Sequence, residues 1–244
     1  MSGHSKWHNI QKTKGAQDAK RAAAFTKISK EMIVAVKEGG SADPNYNSRL
    51  ATVITKAKAA NMPNDNIKRV LDRAASAGSG DAYESITYEG YGPSGVAVMV
   101  ETMTDSRNRT AGNVRHHFDK FGGNMGASGC VAWNFNKKGV LVIDNEDGDY
   151  EEDDVMMDAM DCGADDFEAE EDCFTIYTDP DDFNAVADAM GKKGYSFVSA
   201  QIEMVPGEYK KLENPDDIAN MEKMLDIFDD DDDVQNVWHN WDRD

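Results

Sequence analysis

From residue 18 to residue 76 the apolar positions recur at helical spacing. Phe25, Ile28, Met32 and Val36 follow one another three or four residues apart, and Gly39-Gly40 halts the run. Leu50, Val53, Ile54 and Ala57 repeat the pattern after Asp43-Pro44. Ile67, Val70, Leu71 and Ala74 repeat it once more after Pro63-Asn64, with Gly78 as the stop. Three helices, each with one apolar stripe, predict a small bundle over 1–78. Ala77-Gly78-Ser79-Gly80 reads as a linker.

Beyond the linker the period shortens. Short strands are predicted over 84–91, 96–100 and 130–135, with a helix over 110–121 that turns Val114, Phe118 and Phe121 inward. A self-contained run follows: a strand over 139–143, a helix over 154–162, a hairpin of 166–170 with 173–177, a helix over 180–192 and a strand over 197–204. That order, β-α-β-β-α-β, is the split pattern of a ferredoxin-like sandwich. A last helix over 215–228 and a strand over 234–238 are too few to fold alone. They are expected to return to the sheet begun near residue 79. The expected fold class is α+β: a helical N-terminal bundle followed by two α/β-sandwich domains, one ferredoxin-like. The domains expected are 1–78, a discontinuous 79–135 plus 206–244, and an inserted 136–205.

Charge changes the picture. The 244 residues carry a formal net charge of -20, which taken alone argues against a nucleic-acid partner. The charge is segregated, however. Residues 1–78 hold 14 Lys/Arg against 6 Asp/Glu, a net +8, whereas 136–244 hold 8 against 34, a net -26. Such asymmetry points to nucleic-acid contact by the front of the chain. The three cysteines, Cys130, Cys162 and Cys173, form no C-x-x-C pair, so neither a disulfide framework nor a zinc knuckle is expected. No apolar run is long enough to cross a membrane, and the N-terminus lacks the apolar core of a signal peptide. These features together predict a cytoplasmic protein.

The candidate contacts follow from residue type. Lys6, Lys12 and Lys14 can neutralise phosphates, Trp7 offers a stacking face, and His8 stands beside it. Outward positions of the predicted helices carry Lys20, Arg21, Lys27, Lys30, Arg49, Lys56, Lys58, Lys68, Arg69 and Arg73. A second cluster, Arg107, Arg109 and Arg115, lies where a strand meets a helix start, which suits an anionic ligand. The alternative there is a helix capped by Asp105 or Ser106. His4 with His8, and His116 with His117, lack the further ligands that a zinc site needs. The glycine-rich 90–95 fits no nucleotide-binding loop. There is no G-x-S-x-G or H-E-x-x-H, and no nucleophile stands out, so no catalysis, cofactor or small-molecule substrate is expected.

Several segments together resemble the YebC/PmpR family of probable transcriptional regulators. They are Ser2-Gly3-His4-Ser5-Lys6-Trp7 with Asn9-Ile10, Gly39-Gly40 with Asp43-Pro44, and Ala60-Asn61-Met62-Pro63. Tyr88-Glu89-Gly90-Tyr91-Gly92-Pro93, Asn108-Arg109-Thr110, Gly122-Gly123 and Val234-Gln235-Asn236-Val237 complete the set. The resemblance spans the chain and is weakest in the acidic 144–172. It departs at Asp105-Ser106, where the family has Asp-Asn. It implies three domains, cytoplasmic location and no catalysis. It also implies one of two roles: a DNA-binding regulator of transcription, or a ribosome-associated translation factor that binds ribosomal RNA and relieves stalls at proline-rich stretches. A monomer is expected.

Overall fold

The computed structural model describes residues 17–76 and 83–243, with side chains from residue 22 onward. The chain forms two compact units, one of residues 1–78 with 137–203 and one of 79–136 with 204–244.

The first unit opens with α1 (Gln17–Gly39), α2 (Ser48–Ala59) and α3 (Asn64–Ser76). Ile28, Met32, Leu50, Val53, Ala57 and Ile67 form their shared core, with Phe25, Val70, Leu71 and Ala74 packed against it. These are the stripes read from the sequence. Buried Asn47 sets the α1–α2 corner. Its Oδ1 accepts from the Leu50 N–H at 3.0 Å and caps α2. Its Nδ2 donates to the carbonyls of Ala35 at 2.9 Å and Ser41 at 2.8 Å.

The same unit continues with the predicted β-α-β-β-α-β. Its elements are β4 (Phe135–Asp144), α5 (Glu152–Asp161), β5 (Asp166–Ala169), β6 (Cys173–Thr178), α6 (Phe183–Lys193) and β7 (Ser199–Pro206). The sheet order is β5-β6-β4-β7. β6 runs antiparallel to both β4 and β5, which is the ferredoxin-like arrangement. Leu141, Ile143, Ile176, Phe183, Val186 and Met190 lie in its core. Gly139 lets α6 approach the sheet, because a Cβ there would strike the Phe183 ring and the Thr178 hydroxyl. Gly194 ends α6 in the left-handed region, at φ 104. Thr52, Thr55 and Asn184 link α2 to α6, with the Asn184 amide donating to Thr52 Oγ1 at 3.0 Å.

The second unit contains β1 (Glu84–Tyr91), β2 (Ala97–Thr104), α4 (Arg107–Lys120) and β3 (Asn124–Met125). From the end of the chain come β8 (Lys210–Lys211), α7 (Pro215–Asp229), β9 (Val234–His239) and β10 (Trp241–Asp242). The sheet order is β3-β1-β2-β9, and β9 runs antiparallel to β2. The C-terminal strand therefore does return to the earlier sheet. Val98, Val100, Val114, Phe118, Met221, Met224 and Phe228 fill the space between sheet and helices. Buried Asn134 and Asn240 both donate to the Glu208 carbonyl, at 2.9 and 3.0 Å. Asn240 Oδ1 also takes the Ala97 N–H at 2.8 Å. Asn134 Oδ1 in turn accepts the Glu208 N–H at 2.8 Å, so both buried amides have protein partners for donor and acceptor.

The structure departs from the expected strand over 130–135. Residues 132–134 form a 3-10 turn, and the strand begins only at Phe135. The cause is Glu89 on β1, whose buried carboxylate accepts N–H bonds from Gly129 at 2.7 Å and from Val131 and Ala132 at 2.9 Å each. Amides held by a side chain are lost to a ladder. Helix α4 starts a turn before the expected residue 110, and β2 runs on past residue 100 because Thr102 and Thr104 are buried with it.

Candidate nucleic-acid interface

Lys6, Trp7, His8, Lys12 and Lys14 lie outside the described residues, as do His4 and the side chains of Lys20 and Arg21 on the first turns of α1. Lys27 and Lys30 of α1 are half-buried. Two further cations serve the packing of α1 on α2. Lys56 Nζ meets Glu31 Oε2 at 2.9 Å, both largely shielded from solvent, and Arg49 is paired with Glu38. The rest point outward. Lys58 near the end of α2, and Lys68, Arg69 and Arg73 on α3, are exposed.

The sequence of α3 dictates that display. Ile67, Val70, Leu71 and Ala74 take the inner face at helical spacing. Arg69 and Arg73, one turn apart, are left on the opposite side, with Lys68 flanking them. Asp65 and Asp72 share that outer surface and interrupt the positive field. Among the described residues Arg69 donates to its neighbour Asn66 Oδ1 at 3.4 Å.

The arginines at the start of α4 have a different environment. Arg107 Nη2 meets Glu84 Oε2 at 2.8 Å. Arg109 Nη2 meets Asp105 Oδ1 at 2.9 Å and Asp233 Oδ2 at 2.7 Å. Hydrogen bonding to these carboxylates raises both guanidinium pKa values above the ordinary arginine range. Asp233 Oδ2 also accepts from Thr110 Oγ1 at 2.8 Å. The place expected to suit an anion is thus occupied by the protein's own buried carboxylate. Neither Asp105 nor Ser106 caps the helix through its side chain; instead Thr104 Oγ1 accepts the Ser106 N–H at 2.8 Å. Arg115 and His116, farther along α4, are exposed. His117 stands edge-on to Phe228 at 5.5 Å, with Nε2 at 3.2 Å from Asp231.

Two aromatic side chains escaped the sequence reading. Trp133 is 69% exposed on the turn that Glu89 organises, its indole N–H bonded to the Cys130 carbonyl at 3.0 Å. Tyr46 is 83% exposed in the 44–46 turn between α1 and α2. Both sit inside apolar-looking or turn-like segments, so periodicity gives no sign of them. Burial pushes the Glu89 carboxyl upward, but its three N–H bonds outweigh that and hold it below the usual value. A charged, multiply bonded Glu89 is what keeps the Trp133 turn in place.

Among the described residues no group of three or more His, Cys, Asp or Glu is arranged to hold a metal ion. No helix among them is long and apolar enough to cross a membrane.

The described residues combine a helical bundle with outward-facing cations, a ferredoxin-like sheet and a second α+β sheet. The TACO1/YebC N-terminal domain matches residues 5–77, and the TACO1/YebC second and third domain matches residues 83–241; this chain belongs to that family. A probable transcriptional regulatory protein of Ruminiclostridium cellulolyticum is 54% identical over 244 residues, covering 100% of this chain and 98% of the relative. One of the same description from Acetivibrio thermocellus is 54% identical over 241 residues, covering 99% of each. The crystal structure of a conserved hypothetical protein from Aquifex aeolicus superposes with a TM-score of 0.82 at 39% identity, covering 92% of this chain and 91% of that one.

Proposed function

We propose that this protein is a nucleic-acid-binding regulator of transcription, and that residues 1–78 supply the contact. The observation that carries the reading is the outward display of Lys58, Lys68, Arg69 and Arg73 on the +8 segment, in a chain whose relatives are named as transcriptional regulators. Lys6, Trp7, His8, Lys12, Lys14, Lys20 and Arg21 extend the same contact. Lys27 and Lys30 flank it, Arg49 and Lys56 support it through their acidic partners, and Arg115 adds a separate cation. The protein works as a cytoplasmic monomer without catalysis, built from domains 1–78, 79–135 plus 206–244, and 136–205.

Binding of the full chain to duplex DNA should weaken with salt, by about 0.9 log unit of affinity per log unit of salt for each phosphate engaged. Fluorescence anisotropy across a salt series measures this. A salt-independent affinity, or no binding at low ionic strength, removes the basis of the proposal.

A second reading, ribosomal RNA as the target, is favoured by Tyr46 and Trp133. Exposed aromatic faces reward unpaired bases more than a stacked duplex. If Trp133→Ala weakens binding to single-stranded RNA but leaves duplex DNA unaffected, the RNA reading gains over the DNA one.

A further inference from the structure

The surface of α5 carries apolar groups that the nucleic-acid reading leaves unused. Val155 and Ala159 face inward and are fully buried. Asp158 turns toward α6, where Lys193 and the Tyr195 hydroxyl hold it, the latter at 2.8 Å. The remaining face exposes Met157 at 62%, Met160 at 41% and Met156 at 38%. Met156 and Met160 are one turn apart, and Met157 lies three residues before Met160, so the three side chains form a contiguous strip. Glu, Gln or Lys would serve helix propensity equally well without offering apolar surface to water. Unbranched thioethers suit a surface that must adapt to a partner's shape.

The rim of the strip has one sign. Glu152, Asp153, Asp154 and Asp161 are exposed around it. Between Lys138 and Lys192 the sequence holds 20 Asp/Glu and no Lys or Arg. Such a field repels nucleic acid and anionic lipid, and it attracts cations to an apolar centre. Anchors at helical spacing inside a charged rim are the arrangement that receives an amphipathic helix.

We propose that the Met156, Met157 and Met160 face of α5 is a docking surface for a cationic amphipathic helical segment of a partner protein. Apolar side chains of the segment lie on the methionines, and its lysines and arginines meet Asp153, Asp154 and Asp161. The surface is independent of the cations on α3.

The test uses the full chain and two synthetic peptides of identical Leu/Lys composition. One is patterned as an amphipathic helix and the other is scrambled. The patterned peptide should bind about tenfold or more tighter than the scrambled one. Replacing Met156, Met157 and Met160 together by Ser should remove that preference while leaving the weak affinity for the scrambled peptide unchanged. The triple Met→Leu variant should keep it, and Asp153→Asn with Asp154→Asn and Asp161→Asn should weaken both peptides. The preference should survive at 1 M salt, where charges are screened beyond about 3 Å. Three results overturn the proposal: equal binding of the two peptides, wild-type preference in the Ser variant, or self-association of the wild-type chain that the Ser variant abolishes. The last would assign the face to a second copy. The Leu and Asn variants carry the test if the Ser variant fails to fold.

Discussion

The outer face of α3 and the first turn of α4 are both rich in arginine, yet they are different objects. Arg69 and Arg73 project from a helix whose inner face packs on the bundle core, and like Arg107 and Arg109 they are exposed. Arg107 and Arg109 meet carboxylates from β1, from their own helix start and from the segment entering β9. Cations of the second kind tie the start of α4 to β1 and to the segment entering β9, and the carboxylates they meet offset their charge locally. Basic residues held by the protein's own carboxylates therefore present less positive field to a ligand than their number suggests.

The largest expected effect lies on the α2–α3 side. Reversing Lys58, Lys68, Arg69 and Arg73 together to Glu should lower nucleic-acid affinity by about 100-fold or more at low salt and flatten the salt dependence. The thermal midpoint should hardly move. Arg109→Ala should do the opposite: lower the thermal midpoint and leave affinity within about twofold. If both variants act alike, the distinction between displayed and internally balanced cations fails.

Asp233→Asn comes next. It exchanges a buried charged acceptor for a neutral one opposite Arg109 and Thr110, and it should destabilise the chain by about 1–3 kcal/mol in urea unfolding. Glu89→Gln should have an effect of about 2 kcal/mol, because a carboxylate accepting three N–H bonds becomes an amide that can accept fewer and adds donors. Hydrogen exchange at Gly129, Val131 and Ala132 would show the loss locally.

The Glu89 carboxyl has a lower pKa folded than unfolded, where the ordinary value is 4.5. Its contribution is fully present above about that pH and is lost as the pH falls through the folded value. The wild type should therefore lose stability faster than Glu89→Gln on acidification below about pH 4.5. Equal slopes would mean that the three N–H bonds do not favour the ionised form. The smallest expected effect is that of Arg115→Ala: affinity within a few-fold and a salt slope lowered by about one.

Much of the architecture was legible in the amino-acid order. The stripes of α1 to α3 and the β-α-β-β-α-β succession are local patterns, and local patterns survive folding. Two-residue strands such as Asn124–Met125 and Trp241–Asp242 are too short to have a period. The segment 130–135 reads as a strand in the sequence because the group that rules it, Glu89, lies some 40 residues earlier. The same holds for the cations. Arg109 and Asp233 are 124 residues apart, and Lys56 and Glu31 are 25 apart. Composition counts such charges but says nothing of which will meet. Trp133 shows the converse: its segment reads as a strand, and the Glu89-held turn carries the ring outward.

The side-by-side placement of β4 and β7 has a consequence for how the chain folds. Strand β2 ends at Thr104 and its partner β9 begins at Val234, so their pairing must close a very long loop. Once the ferredoxin-like segment has formed, β4 and β7 are neighbours about 5 Å apart, and the sheet short-circuits roughly half of that loop. Each halving spares about 0.6 kcal/mol of closure entropy, and the entropic gain falls on the step that limits folding in topologies of high contact order. Forming the segment 137–203 first would shorten the loop that the β2–β9 pairing has to close.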